Sequence, residues 1–491
     1  MTSRLRRRSS LPLLLLALSS AAACGRRADV GPVVVSVVGE GKPALARADR
    51  RDLPPGDRAL TGALAMGLVR LDAAGQVEAG LAQRWIVTDG GMSFIFRLGR
   101  TRWSDGAPVT AAEVVALLRR QIAAGARNDL SPYLSAISRV VEMTPEVIEV
   151  ELSRPRPDLL KLFAQPEMAL VRARRAAGAG PFRLAREEPD ALLLTPLPDP
   201  DREADDRARP EDDVRLRVEP AARAVARFVD RGSDLVAGGT IADWPLVRAA
   251  QPAAANVRID PAAGLFGLVV ARRDAFLADI ANRAAVAQAI DRAALAAAVS
   301  PDWPARDTLL PDQLDSATPP VSPAWSALPV TERRAAAAGI VARWRAGRGA
   351  APVLRLALPG GAGGTILFAH LARDLLAIGV RPVRVAADDD AADLVLVDRV
   401  APYDSARWYL DQACRDCAPA AREAIEAARV APTLADRARS IAAADAALTE
   451  DGGFIPLARP FRWSLVAYRL RAWTANPRAW HPLNRLRADT N

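Results

Sequence analysis

The sequence predicts an α/β protein. In its second half, strand patterns alternate with helix patterns, the strands are short and rich in β-branched residues, and glycine stops a helix just before the next strand begins. The chain has 491 residues, and at roughly 150 residues per unit this leaves room for about three structural units. Hydrophobic residues make up 50% and charged residues 25%, which supports large ordered cores rather than disorder.

The first elements concern targeting. "RLRRR" precedes the apolar "LPLLLLALSS" and the small-residue zone "AAACG", so residues 1–23 read as a secretory signal peptide. The apolar run is shorter than the about 20 residues a membrane-spanning helix needs. Cys24 follows three alanines and has two readings: a lipobox cysteine that is diacylated and becomes the new N-terminus, or a thiol left near an ordinary cleavage site. Lipidation is the favoured reading, because a lone exposed thiol is a liability in an oxidising compartment. Residues 24–32 then serve as a tether. The protein is expected in the periplasm or on the outer face of the cell membrane.

The sequence pI near 10.3 invites a nucleic-acid reading. The leader, however, holds four arginines and no acid, and without it 62 basic residues face 57 acidic ones spread along the chain. No basic run or RNA-binding aromatic motif follows, so no nucleic-acid partner is expected.

In the mature chain, "PVVVSVVG" (32–39) reads as the first strand. "MSFIFRL" alternates, with Phe94, Phe96 and Leu98 on one face of a half-buried strand. Asp105-Gly106 supplies a turn, and Thr110 with Glu113 forms a capping box ahead of a helix striped by Val114, Leu117, Leu118 and Ile122. "EVIEVEL" (146–152) is another strand. Residues 198–213 read as an exposed polar loop, "VRLRV" as a strand, and 220–239 as a helix leading into a strand. Residues 280–299 and 420–449 carry helical patterns. "VLRLALP" (353–359) is a strand, "GGAGG" a loop, "TILFAHLARDLLAIG" a helix stopped by Gly379, "VRPVRVAA" a strand and "ADLVLVD" (392–398) a buried strand.

The chemistry is sparse. "GGAGGT" (360–365) lacks the Lys-Ser/Thr of a P-loop and the GxGxxG spacing, so it reads as a tight turn between strand and helix. No GxSxG elbow occurs, and His370 sits in a helix beside Phe368 and Leu371, a structural setting. No catalytic residue, metal centre or cofactor is predicted. Cys414 and Cys417 form "CRDC", for which a local disulfide leads over a redox motif and zinc. Tyr403 and Trp408-Tyr409 lie just past the strand 392–398, either as core or as the lining of a cleft beyond the carboxyl ends of strands.

"LAQRWIVTDGGMSFIFRLGRTRWSDGAPVTAAEVV" (81–115) resembles the signature of the family 5 extracellular solute-binding proteins, the peptide- and nickel-type receptors of ABC importers. Trp85, Trp103, Asp105 and Gly106 fit its pattern, with Glu113 in place of an aspartate. "GAGPFRL" (178–184), "RFVDRGSDLV" (227–236), "ANRAAVAQAIDRAAL" (281–295, with Arg283 and Asp291) and "GGFIPL" (452–457) are similar to further family segments in the same order.

The resemblance implies a two-lobed periplasmic-binding-protein-like fold (type II, cluster C-like) with an extra small subdomain in lobe 1. It places lobe 1 at 33–62, 176–264 and 461–491, the peripheral subdomain at 63–175, and lobe 2 at 265–460. A peptide or other small polar solute is expected between the hinged lobes, with delivery of the solute to a membrane permease by a lipid-anchored monomer. The Trp103 turn is then architecture rather than a site. In "DRVAPYDSARWYL" (398–410), Tyr403, Asp404 and Trp408 hold family positions and Asp398 is a further candidate ligand residue, but Ala401 stands where the family has its first acid. A secreted hydrolase on an α/β scaffold and a surface interaction module with an occluded cleft are the rival readings.

Overall fold

The structure is a computed structural model that describes residues 31–45, 53–123, 125–172, 177–197, 209–312 and 314–487. Cys24 and most of the loop 198–213 lie outside the described residues.

The chain builds two large sheets. The first has seven strands in the order Val257–Asp260, Arg462–Val466, Leu235–Gly239, Val33–Val38, Val214–Glu219, Leu192–Pro196 and Phe182–Glu187. Val33–Val38 is parallel to both of its neighbours, whereas the strands outside that central trio pair antiparallel. Val33, Val34, Val35 and Val37 are buried because the helices Pro55–Leu64 and Ala221–Val229 pack against this strand, which is why the segment reads as a continuous apolar run rather than an alternating one. The second sheet runs Arg381–Val385, Val353–Ala357, Leu394–Val400, Gly264–Val270 and Phe454–Ala458. The chain passes between the sheets twice, at 261–263 and at 459–461, so two short adjacent connections join the halves.

A third, four-stranded antiparallel sheet, Ala82–Thr88, Ser93–Leu98, Val147–Leu152 and Ile137–Thr144, carries the helix Ala111–Ile122. Phe94, Phe96, Ile148 and Val150 are all at most 2% exposed, as the alternation of their strands requires. Trp103 is a knot in this unit. Its ring is buried, its Nε1 donates to Glu113 Oε2 at 2.8 Å, and Arg172 bridges Glu113 (2.7 Å) and Asp105 (2.9 Å). Gly106 takes the positive φ of +85° that the turn requires.

Several elements differ from the sequence expectations. Thr110 caps its helix by accepting from Glu113 N, but the reciprocal half of the capping box is replaced by the bond from Trp103. The helical stretch 280–299 is two helices, Ile280–Ala289 and Arg292–Val299, because Asp291 caps the second one through Ala294 N. The stretch 420–449 likewise divides into Pro419–Val430 and Leu434–Asp451, with Thr433 capping the latter. The glycine run is the first turn of the helix Gly361–Ala377 instead of a loop. The strand Leu394–Val400 is buried only at its start; from Val395 onward it is half open, because it borders a cavity.

Arg283 is 2% exposed and ties the helix Ile280–Ala289 to the end of Leu434–Asp451, donating to the Asp451 carboxylate (3.0 Å), to Asp451 O (2.7 Å) and to Leu277 O (2.7 Å). Arg283 and Asp291 are therefore framework.

Candidate functional site

A cavity of about 540 Å³ lies between the two large sheets. One wall is Thr240 and Ile241, just past the strand Leu235–Gly239. Trp463, 1% exposed, sets this wall by donating from Nε1 to Thr240 O at 2.8 Å. The opposite wall comes from the second sheet: Pro359 follows Val353–Ala357, and Asp398 and Arg399 end Leu394–Val400. Asp411 and Gln412 from the helix Ala406–Ala413 close it, with Cys414 and Arg415. Val269, Val395, Leu396 and Val397 give an apolar floor. The site occupies the carboxyl ends of strands, where open α/β sheets place ligands.

The two halves touch beside this space. Gly363 N donates to Ala242 O at 3.0 Å, and a Cβ on Gly363 would lie 1.8 Å from Ile241 O. The glycine run thus gives backbone-to-backbone contact across the cleft. On the other flank the rings of Tyr133 and Tyr403 meet edge to face at 5.6 Å, and Gln165 Nε2 donates to Pro402 O at 2.7 Å. The halves are drawn together in this arrangement.

Of the sequence candidates, Asp398 lines the cavity. Its Oδ1 accepts from Arg462 Nη1 at 2.8 Å, and Arg462 Nη2 also reaches Asp398 O at 3.1 Å. Burial pushes the Asp398 carboxyl up, opposed by Arg462. Tyr403 and Trp408 are each 4% exposed and belong to the core that joins the four-stranded unit to the helices of 406–451, so core packing rather than cleft lining describes them here. Asp404 is held by Lys161 (2.7 Å) and by Arg478. Partial burial pushes its carboxyl up, but these two cations outweigh that and leave it below the usual carboxylate range. Cys414 and Cys417 form a disulfide.

Thr240, Ile241, Arg399, Asp411, Gln412 and Arg415 are lining residues that the sequence did not single out. The position of Asp398-Arg399 near the end of a strand and of Thr240 just past one was the available signal, and Arg415 lies inside the CRDC motif itself. Asp411 is paired with Arg407 at 3.2 Å; burial pushes its carboxyl up, while Arg407 and Tyr133 oppose the shift.

Residues 76–380 match the model of the bacterial extracellular solute-binding proteins, family 5 middle region. A 120-residue segment is 31% identical to the probable deoxycholate-binding periplasmic protein YgiS of Escherichia coli K12, covering 21% of this chain and 22% of that protein's length. The fold matches Haemophilus influenzae OppA, solved in complex with the peptide RPPGFSPFR, with a TM-score of 0.76 and 16% identity over 93% of this chain and 99% of the other. It also matches the murein tripeptide binding protein MppA of Escherichia coli, with a TM-score of 0.74 and 17% identity over 92% and 97% of the two chains.

Proposed function

The chain belongs to family 5 of the bacterial extracellular solute-binding proteins, and from that membership we propose that it is the receptor of an ABC importer, capturing a small solute between its lobes and delivering it to a membrane permease. The observation that carries this reading is the cavity of about 540 Å³ walled by Thr240 and Ile241 from one half and by Asp398, Asp411 and Arg415 from the other. A ligand bridging those walls binds the closed arrangement better than the open one, which is the free-energy source of clamp closure.

The volume falls within the roughly 300–1,000 Å³ of small-molecule sites. It suits a solute of the size of a murein tripeptide, or a compact amphiphile of the deoxycholate class, better than a nonapeptide. Capture of a peptide by its amino end through Asp404 is disfavoured, because that carboxylate already holds two cations. Family membership favours a binding protein over the secreted hydrolase and over the surface interaction module.

The proposed layout keeps lobe 1 at 33–62, 176–264 and 461–491, a peripheral subdomain at 63–175 and lobe 2 at 265–460. The sheet memberships of Arg462–Val466 and Gly264–Val270 support it. Residues 1–23 act as an export signal, and Cys24 carries a lipid that holds the monomer at the outer face of the membrane. Native mass spectrometry of the purified protein tests the receptor reading. A co-purified small molecule, released unchanged on denaturation, is the expected result. Recovery of a chemically converted compound would overturn it.

A further inference from the structure

The charges lining the cavity do not balance. Asp398 is matched by Arg462 and Asp411 by Arg407, so both carboxylates have cationic partners within the protein. The two lining arginines have no such match. Arg399 donates to the neutral amide oxygen of Gln412 at 2.8 Å, and Arg415 makes no side-chain hydrogen bond or ion pair among the described residues.

Arg415 is also held in place by its backbone. It sits between the bonded cysteines 414 and 417, and Arg273 Nε donates to the carbonyl of the next residue, Asp416. Arg273 is anchored in turn by Asp451 at 2.6 Å. The backbone of this loop is thereby fixed from two sides, so a ligand that meets Arg415 does not have to order the loop. Facing these cations is the apolar floor formed by Val269, Val395 and Leu396.

We propose that the solute taken by this cavity is a small organic anion with an apolar body, its carboxylate or equivalent group seated against Arg415 and Arg399. This deepens the receptor reading and rests on it. Both guanidinium groups stay exposed at this cavity with the halves drawn together, so an anion entering it meets two cations that no carboxylate of the protein neutralises, where a neutral or cationic solute gains nothing from them. Guanidinium also pairs with carboxylate through two parallel N–H···O bonds, which adds geometric selection to charge.

The test is a thermal-shift screen of the full chain against a metabolite library sorted into anions, zwitterions, neutral compounds and cations, followed by calorimetry on the hits. Two acid–amide pairs, indole-3-acetate with indole-3-acetamide and trialanine with trialanine amide, are included. The expected result is that hits concentrate among the anions and that any acid that binds exceeds its amide by at least tenfold. The Arg415→Gln variant should fold normally by circular dichroism, since the side chain is exposed, and should cut binding of the anionic hits about tenfold. Hits confined to neutral or cationic compounds, or an Arg415→Gln variant with unaltered affinity, would overturn the proposal and leave the receptor reading standing. No hit in any class would overturn both.

Discussion

Gly363 donates its backbone N–H to the carbonyl of Ala242 at 3.0 Å, joining the first turn of the helix Gly361–Ala377 to the segment just past the strand Leu235–Gly239 of the other large sheet. A Cβ at residue 363 would meet Ile241 O at 1.8 Å, closer than any real contact, and the atom it meets is backbone. Gly363→Ala is therefore expected to hold the lobes apart without altering either one. Small-angle scattering should show a larger radius of gyration in the presence of ligand, and affinity should fall at least tenfold. A variant that closes as the parent does would remove this contact from the closing mechanism.

Arg462 and Asp398 form an ion pair in which neither side chain is more than 17% exposed, at the point where the chain returns to the seven-stranded sheet. Removing one partner strands the other in a site of low polarity. Arg462→Met is expected to lower stability by about 3–5 kcal/mol in chemical denaturation. The double variant Arg462→Met with Asp398→Leu should recover a substantial part of that loss.

Asp404 gives the opposite forecast for binding. Its charge is held by Lys161 and Arg478, so Asp404→Asn should leave solute affinity within about twofold by calorimetry. Because the folded carboxyl lies below its ordinary value, its stabilising contribution is present above about pH 4 and is lost as pH falls through the folded value. The asparagine variant should therefore be less stable than the parent at neutral pH and approach it in acid.

Asp445 runs the other way. It is 1% exposed, its Oδ2 accepts from Val321 N at 2.9 Å, and its Oδ1 has no partner. Burial pushes its carboxyl up to about 6, with the Val321 bond opposing the shift. Burial likewise raises Asp158 to about 6, against the pull of Lys161. A folded state that holds protons more tightly than the unfolded chain loses stability as pH rises from about 4 to 6. Asp445→Asn should flatten that decline and gain roughly 1–3 kcal/mol at pH 7.5. Denaturation midpoints of parent and variant measured across pH 4–8 check this, and an advantage of the variant that does not grow between pH 4 and 6 would contradict it.

Where residues act through near neighbours, the sequence was legible. The alternation of Phe94, Phe96 and Leu98, the turn at Gly106 and the Thr110 cap are all local, and the α/β class follows from many such signals together. The glycine run at 360–364 misled for the opposite reason. Its lack of side chains answers to Ile241 and Ala242, far away in the chain and visible only after folding. The cavity has the same character. Thr240 and Asp398 share it from opposite walls, so no spacing rule encodes them. Tyr403 and Trp408 stood at plausible positions past a strand end, but residues there pack into a core or face a cleft according to what covers them, and here Tyr133 of the neighbouring unit meets Tyr403 while Tyr409 packs edge-on against Trp408.

The strand Arg462–Val466 lies between Leu235–Gly239 and Val257–Asp260, and the segment after it is pinned to the same sheet by Arg469 on Asp234 and His481 on Asp260. A strand in the interior of a sheet is thus supplied by a part of the chain made after every other strand of that sheet. Until it arrives, two earlier strands have bare edges able to recruit foreign strands, and the closing step spans more than two hundred residues of sequence, a topology that folds slowly. Synthesis that stops before Arg462 yields a product with an open seam one strand in from the edge of its seven-stranded sheet, prone to clumping rather than merely shortened.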